Sequence, residues 1–166
     1  RLHGLFYAFF PQFYPRGPFP QVVRRWDEML ANRGGRLVAL GGSDAHALPM
    51  RMGPLRRTIF PYEYHFRAVN THLLTDEDLR GDDFKADKKI VLNALRQGRS
   101  FIGYDLPAST RGFRFTAQGQ TGTALMGDEI RLGSGVTLQI RLPGKAECRL
   151  LRDGQVIKNW PAGREI

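Results

Sequence analysis

Arg36-Leu37-Val38-Ala39-Leu40-Gly41-Gly42-Ser43-Asp44-Ala45-His46 is the stretch on which the reading of this chain turns. A short apolar run, Leu37 to Leu40, stops at a glycine pair, and an acid and an imidazole follow, two residues apart. The run is too brief for a helix and is bounded by glycine on both sides, so it predicts a strand buried on both faces. Asp44 and His46 then fall just past the C-terminal end of that strand. In a parallel α/β sheet or barrel this edge is where ligands and catalytic groups gather. Extended backbone there would point both side chains the same way, so that a carboxylate oxygen and a ring nitrogen could share one cation. The same letters also suit a turn or helix cap, because Ser and Asp after a glycine pair accept backbone N–H groups.

Upstream, Val22, Val23, Trp26, Met29 and Leu30 recur at the helical interval, which predicts an amphipathic helix over Pro20 to Arg33 ended by Gly34-Gly35. Helix, glycine stop and buried strand make one α/β unit. Before it, Arg1 to Pro20 carries Phe6, Tyr7, Phe9, Phe10, Phe13, Tyr14 and Phe19 among four prolines. After a short strand at Leu5 to Phe10, proline this dense predicts an irregular segment pinned by its rings, either as a packing clamp or as an aromatic cleft.

Downstream, Ala47 to Arg57 reads as a loop leaving the metal-like edge. Arg51 or Arg57 could face an anionic substrate from it, or could merely cap the element beneath. Thr58 to Phe60 suggests a short edge strand, and Pro61 to Ala68 is aromatic and of open class. His65 within it reads as a packed histidine, with no acid or second His at ligand spacing. Val69 to Leu74 predicts a strand in one of two registers, and in one of them His72 shares the face of the proposed site, which makes it a candidate substrate-binding residue. Thr75 with Asp78 resembles a capping box, and the carboxylates from Asp76 to Asp87 read as helix N-terminal and turn charges rather than a calcium loop. Asp87 to Gln97 predicts a second helix stopped by Gly98, and Ser100 to Tyr104 a strand after it.

Three of these segments together resemble one known family. Gly41 to His46 is similar to the last metal-binding motif of the PHP (polymerase and histidinol phosphatase) superfamily, and the closer resemblance is to its carbaryl-hydrolase-like branch. Trp26, Asp27 and Leu30 match the helix that precedes the motif there, and Ala94 to Phe101 match the segment that follows. The resemblance covers about Gln21 to Gly127. It implies a distorted (β/α)7 barrel and a metal-dependent phosphoesterase or related ester or amide hydrolase acting on a small molecule. Two or three divalent cations (Zn, Mn or Fe) would serve it, with Asp44 and His46 as two of the ligands. Gly41 and Gly42 would then permit close backbone approach, and Ser43 would orient Asp44. The family's His-x-His pair and its middle His and acidic ligands have no counterpart here. The chain, which starts at Arg1 without Met, is therefore expected to be the C-terminal portion of such a barrel, inactive alone, with the remaining ligands upstream of residue 1.

From Arg111 the pattern changes to alternation with turns, and Asp153-Gly154 is a strong hairpin signal between Cys148 to Arg152 and Gln155 to Trp160. The expected organisation is α/β followed by all-β: barrel portion over 1–110 and a β-sandwich-like domain, truncated at its end, over 111–166. At 166 residues, 42% hydrophobic and 25% charged, the chain has the composition of a globular protein. No apolar run approaches the ~20 residues of a membrane span. The single cysteine, Cys148, allows neither an intrachain disulfide nor a thiolate metal site. The net charge of +9 is spread over scattered arginines, which favours a solvated basic surface or half an interface over nucleic-acid binding. The compartment stays open between cytoplasm and periplasm. A non-catalytic β-domain module that docks protein or glycan, and a basic nucleic-acid-binding fragment, are the rival readings.

Overall fold

The computed structural model describes residues 6, 9, 10, 13, 17–33 and 37–162. In chain order the elements are α1 (Pro20–Arg33), β1 (Leu48–Met52), β2 (Leu55–Ile59), α2 (Tyr62–Ala68), β3 (Asn70–Leu73), α3 (Phe84–Gln97), β4 (Ser100–Gly103), β5 (Arg114–Gly119), β6 (Gly122–Ala124), β7 (Thr137–Arg141), β8 (Cys148–Arg152) and β9 (Gln155–Trp160). They fall into two compact units. One comprises Arg1–Pro18, Leu40–Thr71 and Ile102–Thr110; the other Phe19–Ala39, His72–Phe101 and Arg111–Ile166. The content is mixed, helices with small sheets, ordered β1-β2, β3-β4, β6-β5-β7 and β8-β9. Among the described residues none of these sheets closes into a barrel.

In the first unit, β1 and β2 form an antiparallel hairpin with Leu48 opposite Ile59 and Met52 opposite Leu55. A hairpin therefore replaces the loop expected over Ala47 to Arg57. Gly53, at φ 60°, supplies the left-handed backbone that its turn needs. Phe60 follows at φ 51°, a costly conformation for a bulky residue. Its ring stacks on Tyr64 at 5.3 Å, one turn into α2. Tyr64 and Ala68 are the buried face of α2, while Glu63 and Arg67 pair on its outer side at 3.5 Å. The aromatic segment of open class is thus a helix. The strand expected at Leu5 to Phe10 rests partly on residues outside the described set. There the Phe10 N–H bonds the Phe6 carbonyl at 2.9 Å, the i to i−4 spacing of a helical turn.

In the second unit, α1 opens with Pro20 at a position that needs no N–H, and the Val22 and Val23 N–H groups return to the Phe19 carbonyl at 2.9 and 3.4 Å. Its expected stop, Gly34-Gly35, lies outside the described residues. The Trp26 indole donates to the Leu37 carbonyl at 3.2 Å, tying the helix to the chain that leaves it. Helix α3 starts three residues earlier than its periodicity predicts, because Asp83 caps it by accepting from the Lys85 and Ala86 N–H groups, both at 3.0 Å. Thr75 is not that cap. Asp87 turns back instead to hold the Arg80 and Gly81 N–H groups, each at 2.9 Å. Gly98 ends α3 in the left-handed conformation at φ 68°, as expected of a glycine there.

Strands β3 and β4 flank α3 in sequence and pair with each other. At one end the Leu74 N–H bonds the Arg99 carbonyl at 2.8 Å, and at the other the Asp105 N–H bonds the Ala68 carbonyl at 3.1 Å. One chain advances as the other retreats, so the pair is antiparallel rather than the parallel crossover that a helix-to-strand repeat implies. From Arg114 onward the elements are all strands. β5 pairs with both β6 and β7, with Phe115 opposite Ile140 and Ala117 opposite Leu138. β8 and β9 form the expected hairpin about Asp153 and Gly154, at φ 52° and 75°, the positive pair that a two-residue turn of this hand requires. Cys148 on β8 is a free, half-buried thiol.

Candidate functional site

The glycine-rich stretch is built differently from its expectation. Residues 37–47 carry no regular strand, and Leu40 is 61% exposed. An apolar run becomes a doubly buried strand only when ladders form on both its sides, and here no sheet takes it in. A side chain holds it instead. The Thr71 hydroxyl on β3 accepts from the Gly41 N–H at 2.9 Å and donates to the Gly41 carbonyl at 3.0 Å, closing on one residue the two bonds that a neighbouring strand would make.

Gly41 is required by packing. A Cβ there would lie 2.7 Å from Ile102 Cγ2 and 3.0 Å from Val69 Cγ1, so only glycine lets the loop sit this close to β4 and to the residue that leads into β3. Gly42 has open space at its Cβ position, so the close approach expected of both glycines belongs to Gly41, and its neighbours are aliphatic. The same contacts settle the β3 register. Val69 and Thr71 face the glycine loop, and Asn70, one residue out of phase, bonds Asp105 at 2.8 Å.

Asp44 and His46 do come together, by a turn and not by strand pleating. Asp44 adopts φ 45°, a left-handed conformation that aspartate tolerates better than most residues. The turn brings Asp44 Oδ1 to 3.5 Å from His46 Nδ1 and puts the Asp44 carbonyl at 2.6 Å from the same nitrogen. A carbonyl only accepts, so in this contact Nδ1 is the donor, and the neutral ring so arranged has its lone pair on Nε2. A histidine so arranged is oriented to give Nε2 to a cation while a carbonyl steadies its other nitrogen. Both side chains are open, Asp44 at 93% and His46 at 66% exposure.

His65 joins the same loop, a contact that spacing alone did not suggest. Its Nδ1–H donates to the Ser43 carbonyl at 3.1 Å, while the buried Nε2 has no hydrogen-bond partner among the described residues. Two successive carbonyls, Ser43 and Asp44, thus orient two imidazoles, and the position of Ser43 is set through its backbone. No signal short of the folded α2 could have found this, because His65 lies 22 residues from Ser43.

His72 falls in the second unit, with its ring parallel to Phe101 at 4.6 Å between centroids and 3° between planes. Arg51 and Arg57 lie on β1 and β2, both exposed, with the Arg57 guanidinium 4.3 Å from the Phe9 ring centroid. Among the described residues no group of three or more His, Cys, Asp and Glu side chains is arranged to hold a metal ion. Asp44 and His46 offer oxygen and nitrogen donors of the kind that zinc, manganese or iron accepts, two donors where a zinc site takes three or four from protein. The acidic stretch from Asp76 to Asp87 is engaged structurally, as expected: Asp83 caps α3, Asp87 closes a turn and Asp76 pairs with Arg99. No helix of the described residues is long and apolar enough to cross a membrane. No protein-family model matches the chain, and neither a curated protein nor a solved structure does.

Proposed function

We propose that this chain contributes the Asp44–His46 ligand pair to a metal-dependent hydrolase of phosphoesters or related esters and amides, on a barrel of the PHP kind whose other ligands lie outside the described residues. The single observation that carries this reading is the His46 geometry: an Nδ1–H held at 2.6 Å by the Asp44 carbonyl, with the Asp44 carboxylate beside it. A histidine with no ligand role gains little from being fixed in one tautomer at an open surface. A coordinating one gains orientation. Exposed Leu40, Leu48, Tyr62 and Phe66 in the same unit support it as well, since apolar surface of this extent is what a further part of a barrel would cover.

A divalent cation at such a site supplies Lewis-acid polarisation and an acidified water. The chain's own part is to hold and orient. Asp44 provides anionic oxygen, His46 provides Nε2, Thr71 clamps Gly41 and so sets the start of the loop, and His65 fixes the Ser43 carbonyl.

Titration with Mn2+ followed by NMR line broadening tests the reading. Residues 43–47 should broaden first and weakly, with the effect lost in Asp44→Asn and in His46→Gln, and the chain should show no hydrolysis by itself. Broadening centred on Asp76 to Asp87 and indifferent to both substitutions would refute the ligand assignment. Tight binding abolished by both would keep the ligands and refute the need for others.

A further inference from the structure

The β1–β2 hairpin sets Arg51 directly opposite Arg56. Residues in that relation share a face with Cβ atoms about 5 Å apart, and like charges so placed repel. Pro49 and Thr58, the next pair on that face, complete it, while Arg57 lies on the other face over Phe9. The usual remedy is a carboxylate, and among the described residues none pairs with Arg51 or Arg56. No acidic residue occurs between Asp44 and Glu63, and those two already pair with His46 and Arg67. The ion pairs formed between described residues leave out Arg51, Arg56 and Arg57. Arg51 Nε reaches only the Gly53 carbonyl at 3.5 Å, the outer limit of a hydrogen bond. Pro49, Met50, Arg51, Arg56, Arg57 and Thr58 line an open hollow of about 420 Å³.

We propose that Arg51 and Arg56, with the Thr58 hydroxyl, form a binding site for a doubly charged tetrahedral oxyanion of the phosphate type. The charge that makes the pair unfavourable alone makes it favourable around a dianion, and weakly hydrated guanidinium groups give up water readily. Donor count selects the ligand. Two guanidinium forks and a hydroxyl present more N–H and O–H groups than the two oxygens of a carboxylate use well, whereas a phosphoryl group offers three or four oxygens in a tetrahedron. The site rests on the hairpin alone; its failure would leave the hydrolase reading standing, and the reverse also holds.

The test uses the whole chain with inorganic phosphate as probe, read by the side-chain Nε–Hε signals of arginine against chloride at matched ionic strength. Phosphate should shift the Arg51 and Arg56 signals saturably, with weakening of about fivefold or more in Arg51→Gln and Arg56→Gln and none in Arg67→Gln. Arg51→Lys keeps the charge but loses the fork, and should weaken binding as well. In chloride, Arg56→Gln should melt no lower than wild type because a repulsion is gone. Phosphate should raise the melting temperature of the wild type by more than that of Arg56→Gln. Equal effects of chloride, undiminished binding by the Gln variants, or succinate binding as tightly as phosphate would each overturn the proposal. So would a single-stranded oligothymidylate that binds with a steep salt dependence while phosphate does not saturate, which would mark a nucleic-acid surface instead.

Discussion

Replacing Gly41 by alanine tests the packing that positions the Asp44–His46 loop. The added Cβ would stand 2.7 Å from Ile102 Cγ2 and 3.0 Å from Val69 Cγ1. Both neighbours are β-branched and stiff at χ1, so neither can swing aside as a long flexible side chain would. If the loop holds its place, the overpacking costs about 1–3 kcal/mol. If it retreats, the two Thr71 bonds at 2.9 and 3.0 Å stretch or break, at about 0.5–1.5 kcal/mol each. Alanine returns about 0.4–1 kcal/mol by restricting the unfolded chain. The net expectation is a destabilisation of about 1–2 kcal/mol by either route. Gly42→Ala is the internal control: its Cβ meets nothing within 4 Å and its φ is not positive, so it should be neutral or slightly stabilising. Urea unfolding of both variants measures the difference directly. Combining Gly41→Ala with Ile102→Ala, which removes the nearest methyl, should cost less than the sum of the single changes. Equal stability of Gly41→Ala and Gly42→Ala, or strict additivity with Ile102→Ala, would refute the close approach.

Thr71→Val, which keeps shape and removes the hydroxyl, should cost about 1–3 kcal/mol and speed hydrogen exchange at the Gly41 amide, whereas Thr71→Ser should restore protection; unchanged exchange would dismiss the clamp. Asp83→Ala should lower stability by about 1 kcal/mol with loss of helicity at the start of α3, and Asp83→Asn by less, as circular dichroism with denaturant would measure. Burial pushes the Tyr104 hydroxyl above its ordinary pKa of 10.0. The folded chain therefore holds that proton more tightly than the unfolded one. The associated stability is complete below pH 10.0 and is lost as pH rises through the raised value. Difference absorbance titration of wild type against Tyr104→Phe should show a tyrosine ionising late, and ionisation at or below 10.0 would contradict it.

Local rules were legible wherever local physics decides. Helix α1, the Gly98 stop of α3, the Asp153-Gly154 hairpin and the all-strand character after Arg114 follow from periodicity and from glycine's access to positive φ, both properties of neighbouring residues. The strand expected at Leu37 to Leu40 failed for the complementary reason. A short apolar run becomes a strand only if another strand pairs with it, and the composition of residues 37–40 says nothing about a partner. Asp44 and His46 were readable as neighbours, but the turn that joins them depends on backbone at φ 45° that two letters do not specify.

The sequence by itself determined which residues could do chemistry: one acid-imidazole pair after a glycine pair, scattered arginines with Arg51 and Arg57 as candidates to face an anion, and a single cysteine without a mate. Tertiary structure alone decided what holds them. Thr71 reaches back 30 residues to Gly41, His65 reaches back 22 to Ser43, and Arg51 meets Arg56 across a hairpin where a loop was expected. Such contacts arise from chain closure and steric fit between segments remote in sequence, and spacing along the chain carries no record of them.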